Sequence, residues 1–136
     1  MYIPTFDDVK TAQERIKPYI SKTPVLSSSF INELSGAELF FKCENFQKAG
    51  VFKVRGASNA VFGLNAEIAA KGVATHSSGN HALSLAYAAG LRGIPVTVVM
   101  PHTAPEPKKA AVRAYGGTIV ECEPSTRSRE ETLAKI

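Results

Sequence analysis

Pro95-Val96-Thr97-Val98-Val99-Met100 is a run of apolar and β-branched residues with no polar alternation. A strand with one wet face alternates in polarity; a continuous run is the pattern of a strand covered on both faces, as in a parallel sheet. Its flanks repeat the theme. Upstream, Val73-Ala74-Thr75-His76 reads as a short strand and Ser77 to Asn80 as a loop. His81 to Ala89 then forms an alanine- and leucine-rich helix, which Gly90 is expected to end. Downstream, Pro105 to Tyr115 reads as a helix stopped by Gly116-Gly117, and Thr118 to Cys122 as a third strand. Ser125 to Ile136 starts another helix that still runs at the last residue. This alternation predicts an α/β domain, doubly wound around a mainly parallel sheet.

The first half is less regular. Thr5-Phe6-Asp7-Asp8 resembles a capping box, and Val9, Ala12, Ile16 and Ile20 follow at helical spacing. Pro18 should end that helix near Lys17. Thr23-Pro24-Val25-Leu26 reads as extended, and Ser27-Ser28-Ser29 offers caps for a short helix closed by Gly36. Leu39 to Cys43 reads as a strand, and Glu44 to Gly50 as a loop leading into a helix that begins near Lys53. That helix is expected to fade through Asn65-Ala66-Glu67.

At 136 residues the chain can bury a real core. A net charge of +4 with scattered basic residues provides no basic stripe, so nucleic acid is not an expected partner; a small anionic ligand fits better. Cys43 and Cys122 are far apart and read as reduced thiols, which points to the cytoplasm. His76 and His102 lack partners at metal-ligand spacing, so no metal site is expected. Asp7 and Asp8 interrupt any signal-like run, and no apolar run approaches the roughly 20 residues of a membrane span.

Two stretches carry chemistry. In Val51-Phe52-Lys53-Val54-Arg55-Gly56-Ala57 a lysine sits where a helix begins, against the positive end of the macrodipole. The dipole and the aromatic neighbour are read as favouring the neutral amine, the form that attacks a carbonyl to give a Schiff base. The same residues also suit a surface lysine whose stem lies along the helix start. Ser77-Ser78-Gly79-Asn80 joins a strand's carboxyl end to a helix N-terminus, where free N–H groups and the dipole form an anion site. Plain capping by serine or asparagine is the other reading. Arg55 is expected to anchor the helix start through an ion pair. No Gly-x-Gly-x-x-Gly or Walker pattern is present, which argues against a nucleotide-binding module.

Phe-Lys-x-Arg-Gly-Ala followed by Ser-Ser-Gly-Asn-His resembles the fold-type II pyridoxal-phosphate enzymes, specifically the serine racemase and serine/threonine dehydratase family. The similarity runs from Thr23-Pro24-Val25-Leu26 through Thr103-Ala104-Pro105 to Cys122-Glu123-Pro124-Ser125. It implies a tryptophan-synthase-β-like fold, truncated here because family members are more than twice as long. Residues 1–70 would belong to the large cofactor-binding domain and residues 71–136 to most of the small domain. The chain would be an N-terminal piece of a lyase or isomerase of amino-acid metabolism.

The resemblance also implies roles. Lys53 would hold pyridoxal 5'-phosphate as a Schiff base, with Phe52 and Asn80 beside the cofactor. Ser77, Ser78, Asn80 and His81 would bind serine, and Ser78 would act as acid/base on the face opposite Lys53. Dehydration and racemisation would share one α-carbanion. Ser28, Ser29, Lys48 and Tyr115 match positions of a nucleotide effector site, although serine at a helix start and lysine in a loop also occur without one. ATP and a divalent metal such as magnesium would belong to a full-length relative. A homodimer, or association with a full-length relative, is the implied assembly; an inactive α/β module with such a partner is the alternative. Three residues depart from the family: Val51 for serine, Leu83 for glutamine and Ala49 for a hydroxyl residue. In the family the glycine-rich phosphate loop, the metal carboxylates and the residue facing the pyridine nitrogen lie beyond position 136.

Overall fold

The computed structural model describes residues 2–136. Helix α1 (Phe6–Ile16) opens on the expected capping box: Asp8 N–H donates to Thr5 Oγ1, and the Thr5 N–H donates to Asp8 Oδ2 at 2.6 Å. Strand β1 (Val25–Leu26) pairs antiparallel with β2 (Phe41–Lys42), around α2 (Ser29–Ser35). Ser28 caps α2, and left-handed Gly36 ends it. The second strand is shorter than the Leu39–Cys43 expectation, because Glu44 to Gly50 winds into two short 3-10 turns immediately after it.

The main sheet consists of β3 (Val73–His76), β4 (Val96–Pro101) and β5 (Thr118–Cys122), parallel and in that order. Val98 sits between Thr75 and Ile119 in the register. Val98, Val99 and Met100 are fully buried, as the unbroken apolar run requires. Between the strands run α5 (Asn80–Arg92) and α6 (Glu106–Ala114), which pack on each other and on the sheet. Helix α7 (Thr126–Leu133) packs across all three strands as the other layer. The doubly wound architecture is therefore present. The core joins Ala82, Leu85, Ala86 and Ala89 of α5 to Val96, Val98 and Met100, with Val112 from α6.

Helix α3 (Lys53–Gly63) adds Ala57 and Val61 to that core and packs along α5. Arg92, the last residue of α5, donates to the Val61 carbonyl and, at 2.8 Å, to the Leu64 carbonyl at the end of α3. Two helices tied at their C-terminal ends while packed along their length run parallel. Their N-termini therefore lie at the same end of the molecule.

Other boundaries also differ from the sequence reading. Gly90 does not end α5, which continues to Arg92 and is closed by left-handed Gly93. A Cβ at Gly90 would lie 2.8 Å from the Tyr115 carbonyl oxygen, so the glycine serves the approach of α6 rather than a helix stop. The lysine helix does not fade at Asn65: it ends at Gly63, and Asn65 Oδ1 accepts from Ile68 N–H to cap α4 (Ala66–Ala70). At the other end α7 stops at Leu133, and Ala134 is its C-cap.

Candidate active site

Lys53 is the first residue of α3 and is exposed. The segment before it is held from behind by a network spread over the sequence. Arg55 donates to both oxygens of Glu44, at 2.8 Å each, and Thr23 Oγ1 donates to Glu44 Oε1 at 2.6 Å. The Arg55 guanidinium and the Thr23 hydroxyl hold the Glu44 carboxyl at about 2, far below its ordinary value. The ion pair expected of Arg55 is thus present, and it locks the 44–50 loop to the first turn of α3. Within that loop Ala49 takes a left-handed backbone (φ 55), unusual for a residue with a Cβ and the kind of strain that an over-determined turn sustains.

Lys53 Nζ stands 5.6 Å from the centroid of the Phe52 ring. That is a cation–π distance, and the ring face attracts a positive charge. The aromatic neighbour therefore acts opposite to the sequence expectation.

At the start of α5 the geometry also departs from simple capping. Gly79 is the N-cap and no side chain caps the helix; the Ser77 hydroxyl instead accepts from Gly79 N–H at 3.3 Å. Among the described residues, the N–H groups of Asn80, His81 and Ala82 have no acceptor. Three unpaired donors at the head of a 13-residue helix form a ready anion site. Loss of hydration, then the positive charge of Lys53, then His76, push the His81 imidazole below its ordinary range.

The parallel run of α3 and α5 brings Lys53, Phe52 and His81 to one cavity of about 420 Å³. Ser78 and Asn80 line a second, smaller cavity with Leu83, Met100 and Lys108 on the α6 side of the α5 start. Ser77 lies between strand and helix, its N–H bonded to the Val99 carbonyl at 3.1 Å. The catalytic candidates thus surround one helix N-terminus but open into two cavities. The nucleotide-site candidates lie on separate elements. Ser28 caps α2, Ser29 begins it and Lys48 lies in the 3-10 turn; Tyr115 packs edge-on to Tyr87 in a cavity that none of them lines. His102 contacts Glu123 at 3.4 Å, and no group of three or more His, Cys, Asp or Glu suited to a metal occurs among the described residues. Cys43 and Cys122 are unpaired. No described helix is long and apolar enough to cross a membrane.

An exposed primary amine in an open cavity, beside an aromatic ring and a helix N-terminus with unpaired donors, fits the aldehyde end of pyridoxal phosphate. Sequence reasoning missed Glu44, Thr23 and Gln47, which position the Lys53 loop. Their only signal was polar character in a connecting segment.

The family model for pyridoxal-phosphate dependent enzymes matches residues 16–136. A beta-hydroxyaspartate dehydratase from Paracoccus denitrificans is 69% identical over 136 residues, covering 100% of this chain and 43% of that protein. The serine racemase of Homo sapiens is 53% identical, over 99% of this chain and 41% of its own length. Among solved structures, maize serine racemase superposes with a TM-score of 0.96 at 51% identity, covering 98% of this chain and 41% of that one. The serine racemase of Dictyostelium discoideum gives 0.92 at 50% identity, over 96% and 43%. The chain spans about two-fifths of the length of these relatives.

Proposed function

We propose, for a chain that belongs to the pyridoxal-phosphate dependent enzymes, a role as the lysine-bearing part of a dehydratase or racemase for β-hydroxy amino acids. The observation that carries it is the parallel packing of α3 and α5, which puts the Lys53 amine and the α5 N-terminus on one cavity. The 69% identity to a beta-hydroxyaspartate dehydratase favours a β-hydroxy dicarboxylic amino acid as substrate, and the serine racemases at just over 50% favour serine.

Lys53 would hold the cofactor, with Phe52 packed beside it and Asn80 near the ring. When bound, the cofactor withdraws electrons from the α-carbon of the amino acid. The free N–H groups of Asn80, His81 and Ala82, with Ser77 and Ser78 beside them, suit the substrate carboxylate. Displaced from the cofactor by the amino group of the substrate, Lys53 Nζ would take the α-proton from its own side. Loss of the β-hydroxyl then leads to a keto acid and ammonia; return of a proton from Ser78 Oγ gives the opposite enantiomer. Residues 1–70 would serve the cofactor domain and residues 71–136 the small domain. Phe30, Leu34 and Phe40 are exposed, which supports association with a further part of the fold or a second copy.

Ser78→Ala in the full-length protein carrying this segment tests the assignment. Racemisation and action on the D-isomer should fall while dehydration of the L-isomer persists. Ser78 does not cap α5, so the variant should lose less than the roughly 0.5–2 kcal/mol of a lost cap. Equal loss of both activities at matched folded fraction would refute the two-sided role.

A further inference from the structure

We propose that the cavity between the end of α1, the 17–22 linker and β2 binds a small multivalent anion. It measures about 560 Å³, a size typical of small-molecule sites. Four cationic side chains line it (Lys17, Lys22, Lys42 and Arg55), and no carboxylate does. Glu44 neutralises Arg55, and Glu14 lies 3.8 Å from Lys17. Lys42 Nζ donates to the neutral Thr23 carbonyl at 2.6 Å, and among the described residues Lys22 has no hydrogen-bond or ion-pair partner. Positive charge therefore remains uncompensated around a partly enclosed volume, which concentrates anions there.

The wall is rigid before any ligand arrives. The buried Gln47 amide accepts from Ser21 N–H and donates to the Ser21 carbonyl, at 2.8 Å each. Two residues away, the Tyr19 ring stacks on Phe62 with centroids 3.6 Å apart, and the Tyr87 hydroxyl donates to the Tyr19 carbonyl at 3.1 Å. A linker fixed from three sides presents its lysines without a further backbone ordering cost on binding. The Lys53 chemistry uses none of these lysines. Arg55 also lines the Lys53 cavity, so an anion that engages its guanidinium competes with Glu44 and touches the loop that positions Lys53. The lysines that no carboxylate pairs among the described residues, Lys22 and Lys42, disfavour a cationic ligand; the class is a polycarboxylate or a phosphorylated small molecule.

The test is a titration of the 136-residue chain with citrate and, separately, with inorganic pyrophosphate, at constant ionic strength and followed by backbone amide NMR. Saturable shifts gathered on Gln13, Lys17, Ser21, Lys22 and Lys42 with either probe support the site, and the tighter probe assigns its class. Lys22→Glu should weaken binding by about tenfold or more, whereas Lys71→Glu, the same charge change on an exposed helix end, should leave it unaltered. Should Lys22→Glu fail to fold, Lys22→Gln should give a smaller loss in the same direction. Shifts that never saturate, or equal weakening by the Lys22 and Lys71 variants, would overturn the proposal.

Discussion

Glu44→Gln keeps the shape of the side chain but removes the charge that holds Arg55, Thr23 and the loop before Lys53 together. A carboxyl held at about 2 against an ordinary 4.5 corresponds to about 3 kcal/mol if fully expressed. Water reaches both partners, whose side chains are 20% and 33% exposed, so screening reduces this to about 1.5–2 kcal/mol. Because folding depresses this carboxyl's titration, the stabilisation is complete above about pH 4.5. It drains away as the pH falls toward 2. At pH 7 the variant should therefore melt about 5–10 °C below the parent chain. The gap should narrow below pH 4.5, shrink to about a quarter near pH 2.5 and close only below about pH 2, where the folded parent carboxyl itself takes up a proton. Urea unfolding at several pH values measures it. A gap of constant size from pH 7 to pH 2.5 would mean that the glutamine disturbs packing rather than charge, and the electrostatic account of the loop would be wrong.

Gly90→Ala sets helix propensity against packing. Propensity alone favours alanine by about 1 kcal/mol, but the new Cβ would meet the Tyr115 carbonyl oxygen at 2.8 Å. Net destabilisation of about 1–3 kcal/mol by urea unfolding is expected; a more stable variant would show that α6 yields freely. Ser58 is fully buried in α3, and among the described residues its hydroxyl has no partner. Ser58→Ala should stabilise by about 1 kcal/mol, read as a rise in melting temperature; a fall would reveal a hydrogen bond not accounted for.

Much of the fold was legible because its signals are local. The unbroken 95–100 run fixed the buried central strand, and Thr5, Ser28 and Gly36 announced helix ends through their own side chains or their own backbone. Gly90 misled because its reason lies in Tyr115, 25 positions away and on another helix. Asn65 reads as decay of one helix because a cap and a breaker share residue types. At the site, the Lys53 and Ser77–His81 stretches declared themselves, and so did the charge pairing of Arg55. The partners did not: Glu44 and Thr23 meet Arg55 only after β1 and β2 fold together. Nor could spacing foretell that Lys53 and Ser78 open into separate cavities, since that division depends on how α6 packs beside the head of α5.

Lys53 is the proposed carrier of the cofactor. Treating the full-length protein that contains this segment with pyridoxal phosphate and then borohydride, followed by peptide mapping, tests it most directly. A single reduced adduct is expected, on Lys53, that disappears in Lys53→Ala. An adduct on Lys48, Lys108 or another lysine in preference to Lys53, or labelling spread evenly over exposed lysines, would contradict it.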